Sequence, residues 1–518
     1  MTRPAGLNDA EFPAPDVPRR PVVWSIAGSD TGAGAGLQAD LKALQAFGVH
    51  GCTAVAAITA QNSTAVSHVE PVSAAMLDAQ LSALAQDMPP KAIKTGLLGS
   101  VDNLRVVCDW VDRLRAGGTP VALVVDPVLG ATTGASFASD ALVQAYLQQL
   151  LPRATLVTPN RAEATRLWGA GGVVGQPYVD GPAVAVTGGD EASSWACDWL
   201  QTPQASGWLS APRVATRHHH GTGCTFAATA AAALASGYCV ADAVVLAKMA
   251  TTHALRHGYP AGAGAGPVCA LPDFAQRGGN LPTLSHQPGE PAGSFPPLAD
   301  PDLGLYAVVD SAAWVERVLV AGVRTVQLRI KDPQEPTLAA QIEQSIAAAR
   351  DTPGAQLFIN DHWALALELG AEGVHLGQED LAEADLDALR RAGIRLGIST
   401  HSYWEVARAM ACRPSYVACG PVFATQSKDM PWIPQGLDNL RYWSSVLDLP
   451  VVGIAGIGPH NMAQVAAQGV AGAAVITAIT AAAYPAQACR LLMGEFGRGR
   501  QLADATRPVR ARPTLQAA

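Results

Sequence analysis

The feature that most constrains the fold is a unit repeated through residues 303–495, in which a short apolar run precedes a helix-like segment. Helix-like segments follow most of the runs, as at Trp363–Leu369 and Asn461–Gln468. Eight strands that alternate with helices are what a (β/α)8 barrel requires, and a seven-strand open sheet is the competing interpretation. The eight runs are LYAVVD (305–310), TVQLRI (325–330), QLFIN (356–360), GVHL (373–376), RLGIS (395–399), YVACG (416–420), VVGIA (451–455) and AAVI (473–476).

The first half of the chain also alternates between apolar runs and helical stretches. Its runs end in glycine or polar turns, which predicts an α/β domain whose mostly parallel sheet is covered on both faces. On such a sheet ligands bind outside the carboxyl ends of the strands. The predicted strands are VVWSIAG (22–28), TAVAAI (53–58), AIKTG (92–96), ALVVDP (122–127), TLVTPN (155–160) and AVAVTGG (183–189).

Composition divides the chain into two domains with irregular segments around them. Residues 1–20 are rich in proline and charge and are predicted as a disordered tail, and 496–518 as a C-terminal tail. Residues 270–302 are dense in Pro, Gly and polar residues and are predicted as a flexible linker between domains at 21–269 and 303–495. Such a linker would keep two sites near each other without a sealed tunnel.

Charge and cysteine content restrict partners and location. The formal net charge of −8 argues against a nucleic-acid partner. The most apolar stretch, Phe226–Ala250, contains Gly237, Asp242 and Lys248, which favours a buried alanine-rich helix over a membrane span. Nine cysteines without a CxxC pair, behind an N-terminus without an apolar segment, predict reduced thiols in the cytoplasm. The oligomeric state stays open, and a homo-oligomer is compatible with the sequence.

Two glycine-rich turns are the candidate ligand sites of the first domain. GSDTGAGAG (28–36) fits neither a dinucleotide fingerprint nor a P-loop, and alone it favours a ligand-free turn. In HHHGTGCTFAATAAAA (218–233), Gly221 and Gly223 let backbone N–H groups crowd at a helix start, which suits a phosphoryl group in transfer. A helix start with glycine flexibility only is equally compatible. His218–His220 favours a polar loop over a metal site, because no second ligand cluster accompanies it.

These segments together resemble the hydroxymethylpyrimidine and phosphomethylpyrimidine kinases of the ribokinase-like superfamily. The resemblance implies a ribokinase-like fold and phosphorylation of a pyrimidine alcohol and its monophosphate, with ATP as co-substrate. Pyridoxal kinase, of like fold, is a rival that ITAQN and GTGCT disfavour. The motifs, all in the family's order, are AGSD (27–30), AGLQADLK (35–42), ITAQN (58–62), KTGLL (94–98), VVDPV (124–128), TPNRAEA (158–164) and HGTGCT (220–225).

The resemblance assigns roles to five polar residues of the first domain. It implies that Asp40 and Gln61 hold the aminopyrimidine. It also implies that Asn160 and Glu163 organise Mg²⁺ and the ATP phosphates, with Asp126 nearby.

The same resemblance implies that Gly221, Gly223 and Cys224 form the anion hole. It also implies that Cys224 occupies the position at which sugar kinases of the superfamily carry an aspartate base. A thiol at a helix N-terminus is expected to have a lowered pKa and to accept the substrate's proton, in a secondary role. Lysines usual in the family are absent from DPVLGATTG (126–134) and VTGG (186–189). A catalytically silent pyrimidine sensor therefore remains an alternative for this domain.

Polar groups of the second domain cluster where the predicted barrel strands end. Cations beside carboxylates at one open rim suit a Mg²⁺-bound polyphosphate, because metal and basic groups both neutralise it. Alternation along the second strand puts its three polar residues on one face. The candidates, in chain order, are Gln327, Arg329, Lys331, Asn360, Asp361, Asp380, Ser399, Thr425, Ser427 and Lys428.

This domain resembles thiamine phosphate synthase. The resemblance implies condensation of hydroxymethylpyrimidine diphosphate with a thiazole phosphate, and with the kinase domain it implies a bifunctional enzyme of thiamine biosynthesis. A thiazole tautomerase, which shares the barrel, needs no diphosphate site and fits less well. The motifs are QLRIKD (327–332), INDHW (359–363), GVHLGQEDL (373–381), GISTHS (397–402), GPVFATQSK (420–428), GIAGI (453–457) and AVITAI (474–479).

Roles for the barrel residues follow from that resemblance alone. Asp361 and Asp380 would bind Mg²⁺. The remaining groups are assigned to substrates: pyrophosphate to Arg329, Lys331, Asn360 and Lys428, the pyrimidine to Gln327 and Ser399, the thiazole phosphate to Gly456 with Ile476 and Thr477, and further substrate contacts to Thr425 and Ser427.

Overall fold

The computed structural model describes residues 19–130, 138–189, 193–424, 431–502 and 508–515, and it places a ten-stranded sheet before a closed eight-stranded barrel. This is the α/β architecture predicted for both domains. The sheet strands are β1 (Val22–Ser29), β2 (His50–Gln61), β3 (Val66–Pro71), β4 (Ala92–Thr95), β5 (Ala122–Val125), β6 (Leu156–Val157), β7 (Ala183–Val186), β8 (Trp195–Gln201), β9 (Ser206–Pro212) and β10 (Thr283–Ser285).

The sheet has a parallel centre with antiparallel strands added at both edges. Its order is β10-β9-β8-β7-β6-β5-β4-β1-β2-β3. The six predicted strands form the parallel centre from β7 to β2, whereas β3 and β8 to β10 pair antiparallel and were not predicted. The carboxyl ends of the central strands therefore meet at one edge, where ligands are expected.

Seven α-helices among the described residues pack around this sheet, and the alanine-rich stretch forms parts of two of them. The single helix predicted over Phe226–Ala250 is wrong, because Gly237 takes a left-handed φ of 89° and turns the chain between two helices. None of the helices in the described part of the chain combines the length and the apolar character of a membrane span. The helices are α1 (Gly36–Phe47), α2 (Ala74–Asp87), α3 (Val101–Ala116), α4 (Asp140–Ala145), α5 (Arg161–Trp168), α6 (Thr222–Ala235) and α7 (Val240–Arg256).

The barrel closes because its first strand pairs in parallel with both its second and its last strand, which excludes the open-sheet alternative. Its strands are β11 (Gly304–Val309), β12 (Thr325–Leu328), β13 (Gln356–Asn360), β14 (Gly373–Leu376), β15 (Arg395–Thr400), β16 (Tyr416–Cys419), β17 (Val451–Ile454) and β18 (Gly472–Val475). Its helices are α8 (Ala312–Val320), α9 (Leu338–Arg350), α10 (Trp363–Glu368), α11 (Leu386–Arg391), α12 (Tyr403–Cys412), α13 (Gly436–Val446), α14 (Met462–Ala466), α15 (Thr477–Thr480) and α16 (Pro485–Arg500).

The segment predicted as a flexible linker, 270–302, is bound to both blocks instead. Its strand β10 pairs with β9 of the sheet. Further along, the N–H of Phe295 donates to the carbonyl of Arg413 at 3.0 Å, and Ser415 donates to the carbonyl of Pro296 at 2.6 Å, both in the barrel half. Proline and glycine here mark an irregular packed path, so the distance between the two sites is fixed by packing and not by a random coil.

Aromatic side chains join the two blocks into one continuous core. Tyr238 of the first block meets Tyr403 of α12 with ring centroids 6.1 Å apart, and Phe47 lies 6.3 Å from Tyr238. On the barrel side, Tyr403 packs edge-on against Trp443 at 4.9 Å, and Tyr442 donates to a carbonyl of the 270–302 segment. Offset and edge-on aromatic pairs add to the free energy gained by burying their area. The sheet block and the barrel block are thus in direct contact.

Candidate active sites

A cavity of about 830 Å³ opens at the carboxyl ends of the barrel strands. Ten of the thirteen predicted barrel residues line it, although they come from six different strand ends. Thr425, Ser427 and Lys428 lie outside the described residues. The ten that line the cavity are Gln327, Arg329, Lys331, Asn360, Asp361, Asp380, Ser399, Gly456, Ile476 and Thr477.

The two predicted metal ligands lie close together, and the charge of Asp380 acts on the carboxyl of Asp361. Partial burial and the neighbouring charge of Asp380 raise the pKa of Asp361 to about 6, although Arg329 opposes the rise. Asp361 has a left-handed φ of 62°, and the amide of Asn360 donates to its Oδ2 at 2.5 Å. The N–H of Gly377 donates to Asp380 Oδ2 at 2.9 Å. Two carboxylates held together beside an arginine form an acceptor-rich site that a cation would stabilise.

A chain of hydrogen bonds crosses the barrel floor and joins the two predicted pyrimidine residues. Gln327 donates to the hydroxyl of Tyr306 at 3.1 Å, which lies 2.7 Å from the hydroxyl of Tyr416. His375 connects the chain onward, with Nδ1 2.8 Å from Tyr416 and Nε2 2.8 Å from the hydroxyl of Ser399. Because each link is buried or partly buried, the orientations of Gln327 and Ser399 depend on each other.

The part of the cavity wall that follows β17 and β18 presents backbone groups. Gly456 has a φ of 67°, and a Cβ added there would lie 2.6 Å from Cβ of Phe423, so only glycine fits. Asn461 donates to the carbonyl of Gly456 at 2.9 Å and holds the turn. Ile476 and Thr477 form the start of the short helix α15. This wall offers backbone N–H groups and a hydroxyl.

Three histidines of this site were not among the predicted residues: His375, His401 and His460 all line the cavity. A signal existed for His375 and His401, which stand inside the GVHLGQEDL and GISTHS motifs. Their contacts, to Tyr416 and to Glu405, depend on residues elsewhere on the barrel and could not be inferred from spacing.

In the first block the two glycine-rich turns meet. Gly221 precedes α6 with a φ of 86°, and a Cβ there would lie 2.0 Å from the carbonyl oxygen of Gly34 in the other turn. A Cβ on Gly34 would in turn meet the ring of His220. Gly223, in the first turn of α6, has open space around it. The first turn of a 14-residue helix is therefore left accessible beside a second backbone loop, as anion binding requires.

Asp30 fixes the junction of the two turns and was not predicted as a site residue. Its carboxylate accepts the N–H groups of Gly32, Gly34 and Ala35 at 2.7 to 2.9 Å, and Nε2 of His220 lies 3.3 Å away. Burial alone would raise the pKa of Asp30, but the hydrogen bonds to His220 and to the backbone lower it to about 2. The carboxylate is thus ionised at neutral pH and organises the loop.

A buried lysine lies beneath this junction between two of the predicted residues. Lys94 Nζ is 3.0 Å from both oxygens of Asp40 and 3.5 Å from Asp126, and Ser25 also donates to Asp40. Lys94 and Asp40 have no exposed surface. The role predicted for Asp40, to help hold the pyrimidine, stays a prediction, and in the structure both of its carboxylate oxygens face Lys94. Burial raises the pKa of Asp126 to about 6 against the effect of Lys94.

The expected lowering of the Cys224 pKa is wrong. Desolvation of the thiol raises its pKa to about 12, although the charge of Lys94 acts in the opposite direction. The nearby carboxylates of Asp40 and Asp126 add to the rise. Position at a helix start is outweighed by burial above two acids, so Cys224 is a thiol and not a thiolate at neutral pH.

Asn160 and Glu163 form a reciprocal cap at the start of α5. Asn160 accepts the N–H of Glu163 at 2.9 Å, and Glu163 Oε2 accepts that of Asn160 at 3.0 Å. Glu163 Oε1 accepts the N–H of Leu129, on the chain that follows β5. The part that Asn160 and Glu163 play in the structure is thus to join α5 to the strand end carrying Asp126.

Gln61 lies at the end of β2, where its backbone N–H meets the hydroxyl of Thr31 in the first glycine turn.

Comparison with known proteins matches each block separately and the chain as a whole. The family model for phosphomethylpyrimidine kinase matches residues 30–269, and that for thiamine monophosphate synthase matches 305–479. A rice (Oryza sativa subsp. japonica) protein described as a probable thiamine biosynthetic bifunctional enzyme, chloroplastic, is 34% identical over 485 residues, which cover 89% of this chain and 86% of that protein.

Relatives of single blocks are also found. The thiamine-phosphate synthase of Klebsiella pneumoniae is 50% identical over 206 residues, 40% of this chain and 97% of that protein. Among solved structures, Staphylococcus aureus pyridoxal kinase in complex with ADP is 31% identical, covering 48% of this chain and 93% of that one, with a TM-score of 0.43.

Proposed function

This chain belongs to the bifunctional thiamine biosynthetic enzymes, and we propose on that premise how its residues carry out the kinase and synthase activities. The kinase block phosphorylates the pyrimidine alcohol and then its monophosphate, and the barrel condenses the diphosphate with the thiazole phosphate to give thiamine phosphate and pyrophosphate. The observation that supports the residue roles best is the convergence of ten predicted side chains and backbone positions on one barrel cavity.

In the barrel the chemical demand is to stabilise a leaving diphosphate. Arg329, Lys331 and Asn360 supply positive charge and an amide donor on one side of the cavity. As the bond to pyrophosphate breaks, a pyrimidine-methyl cation forms and the thiazole nitrogen captures it. Donors that are already oriented toward the departing oxygens lower this barrier without reorganisation. We assign Lys428 to the same task from the sequence.

The carboxylate pair fits a magnesium ion. The charge of Asp380 raises the cost of ionising Asp361, and such acid pairs with an amide oxygen nearby are the hard oxygen ligands that Mg²⁺ prefers. Bound there, Mg²⁺ would supply charge neutralisation for the diphosphate. The chain's own groups, Arg329 above all, orient the substrate relative to this pair.

The pyrimidine is held by the floor of the barrel. Gln327 and Ser399, joined through Tyr306, Tyr416 and His375, present an amide and a hydroxyl to the ring's amino group and nitrogens. The wall at Gly456 and the start of α15 then receives the thiazole phosphate through backbone groups. Enclosure between the two walls excludes water, which would otherwise trap the cation.

In the kinase block we assign phosphoryl transfer to the accessible first turn of α6. Backbone N–H groups at Gly221, Gly223 and Cys224 face the transferring phosphoryl group, and positioning with charge stabilisation supplies most of the rate. ATP is the co-substrate, and Asn160 with Glu163 supports its phosphates with Mg²⁺ by fixing the strand end at Asp126. Asp40 acts indirectly, by holding Lys94 in place below.

Cys224 has a minor part in this scheme. A thiol whose pKa is about 12 holds its proton at neutral pH and is a poor acceptor for the substrate's proton. We expect Cys224→Ala to keep most of the phosphorylation rate. A complete loss, with the fold intact, would restore the thiol as the base.

The synthase roles are tested with supplied diphosphate and thiazole phosphate, without ATP, by following pyrophosphate release from the full chain. Arg329→Gln and Lys428→Ala should lower kcat far more than they raise the KM for thiazole phosphate. Arg317→Gln is the matched control, because this arginine stacks on Trp314 of α8, 4.6 Å from the ring centre, and does not line the cavity. If either site variant raised only the KM for thiazole phosphate, the assignment to pyrophosphate would be wrong.

We also propose the cytoplasm as the location of the protein. All nine cysteines are free, as a reducing compartment requires.

A further inference from the structure

His401 lies where the barrel cavity meets the kinase block. It lines the cavity directly after β15, two residues beyond Ser399, and its side chain is 16% exposed. Its backbone N–H and its ring Nδ1 both bond to Glu405 Oε2, each at 2.7 Å. With Nδ1 held by this carboxylate, Nε2 is left for the cavity side. None of the predicted roles includes this residue.

The helix turn that carries Glu405 is capped by the kinase block. Glu405 lies in the first turn of α12, which has no side-chain cap of its own. The cap comes from Asp242 of α7, whose Oδ1 accepts the N–H of Trp404 at 2.9 Å across the boundary between the blocks. Asp242 is 3% exposed, and Glu405 is 2% exposed. A capping carboxylate stabilises the start of a helix, and here it fixes the first turn that carries Glu405.

The second support of His401 is Trp432. The two rings stack at 5.0 Å with an interplanar angle of 4°. Gln435 also donates to the carbonyl of His401 at 2.9 Å. Trp432 in turn pairs with Leu515 in an antiparallel bridge.

Leu515 belongs to a strap, residues 508–515, that runs from the kinase block to the barrel mouth. Arg510 of the strap lies over the ring of Phe47 at 3.7 Å and donates to its carbonyl at 3.3 Å. Tyr238 donates to the carbonyl of Ala511 at 2.5 Å. Next along, Arg512 pairs with Asn439 of α13 through bonds of 2.8 and 3.2 Å. The segment predicted as a C-terminal tail therefore connects the end of α1 and the turn between α6 and α7 to the barrel.

We propose that His401 contacts the pyrimidine diphosphate in the synthase cavity, and that the kinase block positions it through Asp242 and through the strap at Trp432. His401 touches substrate, whereas Asp242 and Trp432 are positioning residues. The kinase block thus helps to hold the synthase site of this chain in place. This inference rests on the proposed synthase function.

The test measures two activities of the full chain separately. Synthase kinetics use supplied pyrimidine diphosphate and thiazole phosphate without ATP, and kinase kinetics use the pyrimidine alcohol and ATP. We expect Asp242→Ala to raise the KM for the diphosphate about tenfold, as the loss of one well-placed hydrogen bond would do, with kinase turnover unchanged. Asp242→Asn keeps an oxygen that accepts the N–H of Trp404 and should restore most of the loss. Trp432→Leu, which removes the ring that stacks on His401, should likewise raise the KM for the diphosphate and leave kinase turnover unchanged.

A double variant separates positioning from a general loss of structure. If Asp242 acts through His401, then Asp242→Ala combined with His401→Ala raises KM no further than His401→Ala alone. Lys248→Met is the matched control, since it also breaks a buried contact of α7, the 2.8 Å ion pair with Asp198, and that partner lies on β8 instead of α12. It should lower stability without changing the synthase KM.

Several results would overturn the inference. These are an unchanged synthase KM in Asp242→Ala and Trp432→Leu, additive effects in the double variant, or a parallel loss of both activities that Lys248→Met reproduces. Should the unaltered chain release no pyrophosphate at all, the synthase function itself would fall, which is a different outcome from a selective failure of these variants.

Discussion

The Lys94→Met variant tests the buried charge cluster of the kinase block most sharply. Lys94 Nζ lies 3.0 Å from Asp40 and 3.5 Å from Asp126, and the lysine side chain has no exposed surface. Removing it leaves two acids in a site that water does not reach, with Ser25 still donating to Asp40. Breaking a buried ion pair in this way costs about 3–5 kcal/mol. A fold stabilised by about 5–15 kcal/mol would lose a large share of its stability.

The sign of the pH dependence follows from the same geometry. Without the lysine the pKa of Asp126, already raised to about 6, rises further, and so does that of Asp40. Protonation of both acids removes the buried charge. The stability deficit of Lys94→Met relative to the unaltered chain should therefore be largest above neutral pH and shrink as the pH falls toward 6 and below it.

The assay is urea denaturation followed by circular dichroism at several pH values, with ATP turnover in parallel. Lys94→Met combined with Asp40→Leu should recover most of the stability, because an apolar pair replaces a buried charge pair at little cost. A loss below about 1 kcal/mol in the single variant, or a deficit that grows at low pH, would refute the reasoning.

Three further predictions concern single positions. Gly397→Ala should lower the free energy of unfolding by about 1–3 kcal/mol and lower the synthase kcat, because the added Cβ would lie 2.2 Å from the buried ring of Tyr416. Thermal melting and pyrophosphate release measure the two effects, and an unchanged melting point would contradict the prediction. Gly221→Ala should abolish kinase turnover while the synthase rate is kept, since its Cβ would lie 2.0 Å from the carbonyl of Gly34; equal loss of both activities would count against a local effect. The apparent Mg²⁺ affinity of the synthase should weaken as the pH falls below about 6, where Asp361 takes up a proton, and titration of Mg²⁺ at fixed pH values would show a flat profile if this carboxyl were not a ligand.

The barrel was predictable because its information is local. Every strand was anticipated to within two residues at each end, since each apolar run is bounded by turns of its own. Residues at the carboxyl ends of parallel strands converge whatever the helices do, so the amino-acid sequence alone places Arg329, Asn360 and Ser399 at one mouth.

What could not be predicted depends on contacts between distant parts of the chain. Nothing in the KTGLL motif tells that Lys94 meets Asp40, 54 residues earlier, or that Asp242 caps a helix start 162 residues away. The pKa of Cys224 was given the wrong direction for the same reason, because neither the burial that desolvates the thiol nor the acids beneath it can be read from neighbouring residues in the sequence.

The predictions for the antiparallel strands and for the 270–302 segment were wrong for a different reason. Antiparallel strands β8 and β9 mix polar and apolar residues although most of these residues are buried, so their sequence pattern is weaker than that of the central strands. Proline and glycine content shows that a segment is irregular, but it does not show whether the segment packs. Here β10 and Phe295 do pack.

The most direct measurement is a single reaction of the purified chain with the pyrimidine alcohol, ATP, Mg²⁺ and thiazole phosphate, followed by chromatography for thiamine phosphate and ADP. Two working sites in one polypeptide predict thiamine phosphate with two ADP formed for each, and no product when ATP is omitted. Formation of product only when the diphosphate is supplied would contradict the kinase half, and absence of product even then would contradict the synthase half.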